Sequence, residues 1–157
     1  LLKLQRNILT GQTQKQQSFL DKVLERSSLQ TINDAQRATN IVFRILRDMM
    51  LNKTSDQIEK DLKERSPESE REVIDLWQDP NVMVAFFSRI SPVQNLHIKP
   101  KTFMLRLQQE GALPEGVPPE EVAEAVFSAT KEILPPERNQ EIAGLLPGEI
   151  GQIWERA

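Results

Sequence analysis

The chain has 157 residues, which at roughly 100–200 residues per domain makes one domain or two small halves. Hydrophobic residues at 38% and charged residues at 27% supply a core, and the net charge of −3 lacks the basic excess of a dedicated nucleic-acid binder. The absence of cysteine excludes disulfide scaffolds, thiol catalysis and iron–sulfur clusters, and a single histidine, His97, excludes any site that needs two imidazoles.

No stretch approaches the roughly 18 consecutive apolar residues of a membrane span. The first ten residues set Leu1, Leu2, Leu4, Ile8 and Leu9 around Lys3 and Arg6, without the continuous apolar run or cleavage site of a secretory signal. They read as an N-terminal helix docking its apolar stripe on the core, with a peripheral membrane contact as the alternative. The chain opens on Leu1 rather than methionine.

From there the pattern is helical throughout. Phe19, Leu20, Val23 and Leu24 mark one face of a helix over about residues 14–27. Ala35, Ala38, Ile41, Val42, Ile45, Leu46 and Met49 trace a second, longer stripe behind a cap expected at Asn33 or Asp34. Thr54 and Gln57 match a capping box opening a helix that buries Ile58 and Leu62. Ser66–Pro67 predicts a helix start before Val73, Ile74 and Trp77, and Asp79–Pro80 repeats that device before residues 82–90.

A helix over residues 101–110 is expected to stop at Gly111 as its C-terminal cap. Pro114, Gly116, Pro118 and Pro119 then enforce a loop. A helix from Glu120 carries Val122, Ala125, Val126, Ala129 and Ile133; Pro135–Pro136 ends it and opens the next, and Pro147 opens a last one ending near Trp154. Nothing alternates long enough for a strand, so the fold class is all-α.

Shifting the chain by 84 positions aligns its halves without a gap from Phe19/Phe103 to Leu62/Leu146. Phe19/Phe103, Leu29/Leu113, Val42/Val126, Phe43/Phe127, Ile58/Ile142 and Leu62/Leu146 are identical, while Arg47/Lys131 and Asp48/Glu132 are conservative. Trp77 and Trp154 close the two units. The predicted organisation is an N-terminal helical extension (1–17), a first repeat unit (18–79), a connecting apolar helix and loop (80–100) and a second repeat unit (101–157). Residues 19–62 and 103–146 are expected to form equivalent three-helix units.

The opening Phe19-Leu20-Asp21-Lys22-Val23, the alanine-bearing stretch from Asp34 to Asp48 and the closing Leu145-Leu146-Pro147-Gly148-Glu149-Ile150-Gly151-Gln152-Ile153-Trp154 resemble the bacterial domain-of-unknown-function family 2267 over roughly residues 18–157. The first unit departs from that pattern, with a charged stretch over residues 63–72 in place of the Leu-Pro turn, and Gly151 stands where the pattern has a basic residue. The resemblance implies tandem helical units in a bacterial setting and carries no catalytic residue to transfer.

Candidate chemistry is sparse. Glu120, Glu121, Glu124 and Glu132 lack the Glu-x-x-His partners of a di-iron bundle, and the first two suit the positive end of a helix dipole. Gly148 and Gly151 have neither the strand nor the Gly-Lys-Ser/Thr of a phosphate loop. His97 has no carboxylate nearby in sequence to orient it as a general base. Arg37, Arg44 and Arg47, with Lys22 and Arg26, are the best case for a nucleic-acid face, but stacking aromatics are absent there.

The segment over residues 81–90 is apolar nearly all round, with Val82, Met83, Val84, Ala85, Phe86, Phe87 and Ile90. Such a helix must be buried, either between the units or against a partner. Phe86 and Phe87 point about 100° apart on a helix, so one ring is expected to face the core and the other a partner. Val82, Phe86 and Phe87 are therefore the candidate partner-binding residues; no catalytic, cofactor or metal site is expected. The sequence thus reads as a soluble, cytoplasmic, non-catalytic adaptor that binds another protein, with a regulatory nucleic-acid binder as the alternative.

Overall fold

The computed structural model describes residues 18–50, 52–65, 72–77 and 98–157. They form eight α-helices and no strand: α1 (Phe19–Glu25), α2 (Ile32–Met49), α3 (Asn52–Arg65), α4 (Glu72–Trp77), α5 (Pro100–Glu110), α6 (Pro119–Ile133), α7 (Pro136–Leu145) and α8 (Gly148–Arg156). The all-α class read from periodicity is the observed one. The expected extension over residues 1–17 and the apolar helix over residues 81–90 lie outside the described residues.

Local chemistry explains most boundaries. Ser18 accepts a hydrogen bond from the Asp21 backbone N–H at 3.1 Å and so caps α1, which ends at Glu25 rather than at residue 27. The cap of α2 is Thr31, two residues earlier than expected, because its hydroxyl accepts from the Asp34 N–H at 3.1 Å. Asp34, expected as a cap, instead supplies negative charge to the first turn. Proline opens α5, α6 and α7 at Pro100, Pro119 and Pro136, where its missing N–H is lost at no cost.

One further sequence reading is corrected and another is borne out. Thr54 does not cap α3, which already begins at Asn52; its hydroxyl donates to Glu141 on α7 at 2.8 Å. At the end of α5, Gly111 is the C-cap but keeps a right-handed conformation (φ −77°). The reversal falls one residue later, at Ala112 (φ 48°), where the Ala112 and Leu113 N–H groups return to the Gln109 and Gln108 carbonyls. That is the hydrogen-bond pattern of a Schellman motif with alanine at the position glycine favours. Gly111 is still required, since a Cβ there would lie 2.4 Å from the Leu107 carbonyl oxygen.

The long helices α2 and α6 organise the rest. The first packs on α1, α4, α5 and α6, and the second on α1, α2, α3, α5 and α8. Each buries a broad stripe: Ala35, Ala38, Ile41, Val42, Phe43, Ile45, Leu46 and Met49 on α2, and Val122, Ala123, Ala125, Val126, Phe127, Ala129 and Ile133 on α6. The alanines leave room for neighbouring helices to approach. One apolar cluster runs through all these elements, so the described residues share a single core.

Phenylalanine stands at the centre of each stripe. Phe43 lies between Phe19 (centroids 5.9 Å apart) and Trp77 (5.2 Å, edge to face), and Phe127 lies between Phe103 (6.1 Å) and Trp154 (5.2 Å, edge to face). All six rings are buried. Each tryptophan also carries a cation: the Arg47 guanidinium sits 5.8 Å from the Trp77 ring centre and donates to the Trp77 carbonyl. The Lys131 ammonium sits 5.6 Å from the Trp154 ring and donates to its carbonyl at 2.7 Å.

Phe43→Ala should cost about 3–5 kcal/mol, the usual penalty for deleting a fully buried ring, and Phe127→Ala about as much. Urea unfolding followed by tryptophan fluorescence measures both, and a loss below about 1 kcal/mol would contradict the core assignment. Ala112→Gly should instead stabilise the protein by about 1 kcal/mol, by relieving a left-handed alanine; the same assay showing no gain would contradict the Schellman geometry.

Candidate interaction surface

The first half of the described chain, residues 18–77, meets the second, residues 98–157, along polar seams that flank the shared core. On one side α1 lies against α6. Lys22 on α1 and Arg26 at its C-cap, four residues on, both reach Glu132, Lys22 Nζ at 3.1 Å and Arg26 Nη2 at 2.7 Å. Arg26 Nη1 also donates to Ser128 Oγ at 2.8 Å, and Ser28 donates to Glu121 at 2.8 Å. Glu121, Ser128 and Glu132 are seven and four residues apart, so one face of α6 presents all three.

On the other side α5 lies against α2. Arg106 Nη1 stands 3.2 Å from Asp48 Oδ2, and Arg106 Nε binds Glu110 Oε2 at 2.8 Å. Glu110 in turn faces Arg44 Nη1 at 3.8 Å. A third cluster joins α3 to α7. Arg138 Nε binds Asp61 Oδ2 at 2.8 Å and also pairs with Glu141, while Gln57 Nε2 donates to Asp61 Oδ1 at 3.3 Å. It is the most sheltered of the three, with the Asp61 and Arg138 side chains 10% and 17% exposed. Beside it, Arg65 Nε donates to the Ile133 carbonyl at the end of α6, at 2.8 Å.

These surroundings favour the charged form of each group they shift. Burial pushes the Glu132 carboxyl up, but the hydrogen bonds and charges of Arg26 and Lys22 outweigh it and hold the group below the usual carboxylate range. Burial likewise pushes Arg106 down, and Glu110 and Asp48 more than reverse it. Arg138 is raised by its bond to Asp61, against a smaller opposing effect of burial, with Glu141 adding to the rise.

The residues singled out from sequence are distributed accordingly. Val82, Phe86, Phe87 and His97 lie outside the described residues. Glu121, Glu124 and Glu132 turn to Ser28, Arg156 and the Lys22–Arg26 pair respectively, and no group of three or more carboxylates or histidines is placed to hold a metal among the described residues. Arg37, Arg44 and Arg47 are each engaged within the chain: Arg37 pairs with Asp34 on its own helix, Arg44 faces Glu110 on α5 and Arg47 turns to Trp77 on α4. Sequence reasoning missed the Asp61–Arg138 and Arg106–Asp48 pairs. For the second pair the available signal was the preserved sign of charge at positions 22 and 106, and at 48 and 132, each 84 residues apart; the first pair has no such signal.

The family model described as an uncharacterized conserved protein, DUF2267, matches residues 16–153, and the chain belongs to that family. None of the curated proteins compared with it matches.

The depressed Glu132 pKa fixes a sign. A carboxylate whose folded pKa lies below its unfolded value contributes stability above the unfolded pKa, roughly 4.3, and loses it as pH falls through the folded pKa. Glu132→Gln should therefore cost about 0.5–1 kcal/mol at pH 7, as suits a half-exposed ion pair. The gap from the parent protein should close as the pH drops below about 4. Urea titrations from pH 7 to pH 2.5 measure it, and a gap constant across that range would contradict the assignment.

Proposed function

We propose that this member of the DUF2267 family is a non-catalytic adaptor in which two copies of one helical unit are joined in tandem to bind another protein. The observation that supports the reading is that the ion pairs Lys22–Glu132, Arg106–Asp48 and Arg138–Asp61 each tie a helix of the first half to a helix of the second. Such pairs fasten a scaffold. The cytoplasmic, bacterial setting implied by the sequence belongs to the same proposal.

The two-unit organisation is supported by the correspondence of geometry with sequence shift. Phe19, Phe43 and Trp77 make the same chain of ring contacts as Phe103, Phe127 and Trp154, under the cations Arg47 and Lys131. The packing pairs α1·α2, α2·α4 and α3·α4 in the first half correspond to α5·α6, α6·α8 and α7·α8 in the second. Units over residues 18–79 and 101–157 with a connector over 80–100 account for this pattern. A crystal structure in which residues 19–62 fail to superpose on 103–146 would end it.

The partner-binding residues in this proposal are Val82, Phe86 and Phe87 of the connector. Their support is sequence chemistry: an apolar segment with adjacent phenylalanines offers one ring to a core and another to a partner, where an aromatic anchor carries much of the binding energy. A nucleic-acid partner is the weaker alternative. Lys22, Arg26, Arg37, Arg44 and Arg47 each hold an intramolecular partner that a phosphate would have to displace.

A photo-crosslinking residue introduced at Phe86, and separately at Phe87, tests the proposal in the source cells. One position should give a reproducible protein adduct that resists nuclease, and Phe→Ser at that position should reduce capture at least tenfold while moving Tm by less than about 2 °C. An adduct removed by nuclease would favour the alternative, and no adduct at either position would reject the connector as the docking site.

A further inference from the structure

The two seams are reciprocal. Lys22 of the first half pairs with Glu132 of the second, and Arg106 of the second pairs with Asp48 of the first; positions 22 and 106, and 48 and 132, are both separated by 84 residues. The next contacts obey the same rule. Arg26 bonds to Ser128 and Glu110 faces Arg44, and positions 26 and 110, and 44 and 128, are again 84 apart. Each opening helix also packs on the long helix of the other half, α1 on α6 and α5 on α2.

We propose that this seam is an intermolecular recognition surface as well as an internal one, and that its partner is the complementary half of a second copy of this chain. In a dimer with exchanged halves every contact across the seam is kept, so no new interface has to be created. The charges bear on which halves pair at one contact only, because Lys22 against Asp48 and Arg106 against Glu132 would attract in like halves as well. Two first halves set against each other in this geometry would place Arg26 against Arg44, a repulsion that Glu110 and Ser128 remove when the halves are unlike. This rejection of two first halves rests on the two-copy reading above; the pairing of unlike halves rests on the observed contacts alone.

Connection in one chain gives the internal partner an effective concentration on the order of 1 mM, so exchange is opposed by about tenfold at 100 µM protein. Wild type denatured and refolded at that concentration should thus contain about one dimer for every ten monomers, rising with concentration. Charge reversal removes the handicap. In Glu132→Arg the seam repels, and in the double variant Lys22→Glu, Arg26→Glu it repels again. In the exchanged dimer of the two variants both α1–α6 seams attract. Each of the four charge pairs converted from repulsion to attraction is worth about threefold, which compounds well beyond tenfold.

The experiment is to unfold and refold the two full-length variants, separately and mixed at 100 µM, and to weigh the products by light scattering and native mass spectrometry. Separately refolded variants should give monomer or misfolded protein and no dimer, whereas the mixture should give a one-to-one heterodimer melting within a few degrees of wild type. A mixture holding only the separate products, folded or not, overturns the proposal, and so does an equally abundant homodimer of either variant alone. Failure of exchange leaves the superposition of residues 19–62 on 103–146 untouched, so it is distinguishable from failure of the two-copy reading.

Discussion

The fold depends on Phe43 and Phe127 being held at the centres of the two longest helices with an aromatic ring on either side. Each is fully buried and meets a tryptophan edge to face at 5.2 Å, a geometry worth about 0.5–1.5 kcal/mol beyond the area it buries. Because the tryptophan belongs to the last helix of its half and the other phenylalanine to the first, one ring fastens three elements. The cation over each tryptophan reaches from the same long helix, Arg47 on α2 and Lys131 on α6, and binds the tryptophan carbonyl as well. The ends of α4 and α8 are therefore fixed in position and in rotation by the helix that carries the central phenylalanine.

Burial of that kind says little about which half pairs with which. An apolar stripe accepts another stripe of similar volume, and under the duplication we propose the two halves present similar stripes. Discrimination must come from directional contacts at the edges, where the exchange of one charge reverses the sign of an interaction. The contacts of Arg26 with Ser128 and of Arg44 with Glu110 have that character, whereas the Lys22–Glu132 and Arg106–Asp48 pairs carry the same signs in both halves; exposure keeps each contact individually weak. Several weak pairs acting together impose a preference without making the core depend on any one of them.

The helices were legible in the sequence because their punctuation is local. Proline pairs at 118–119 and 135–136 carry their meaning within a residue or two, and the Phe, Ala and Ile stripes repeat within a turn. Misreadings arose where a side chain had a competing partner. Thr31 outcompeted Asn33 and Asp34 as the cap of α2 by binding the Asp34 N–H, and Thr54 left its capping-box position for Glu141, 87 residues away. The polar seams were illegible for the same reason: Arg26 and Glu132 are 106 residues apart, and no local periodicity predicts that they meet. The candidate docking residues stayed a matter of chemistry alone, since Val82, Phe86 and Phe87 fall outside the described residues.

Asp61 shows how the sheltered cluster differs from the exposed seams. It sits on α3 beside the buried Leu62, where an unpaired carboxylate would carry a desolvation cost of several kcal/mol. Arg138 and Gln57 satisfy its two oxygens from different elements, one on α7 and one a turn back on α3. The cluster has no counterpart under the 84-residue correspondence, because Leu145 stands where a second aspartate would be and Thr54 where a second arginine would be. Under the two-copy reading this contact is present in one direction only, and it serves one purpose that the reciprocal seams cannot. It breaks their equivalence, so that α3 is tied to α7 by an Asp–Arg pair found in that one direction only.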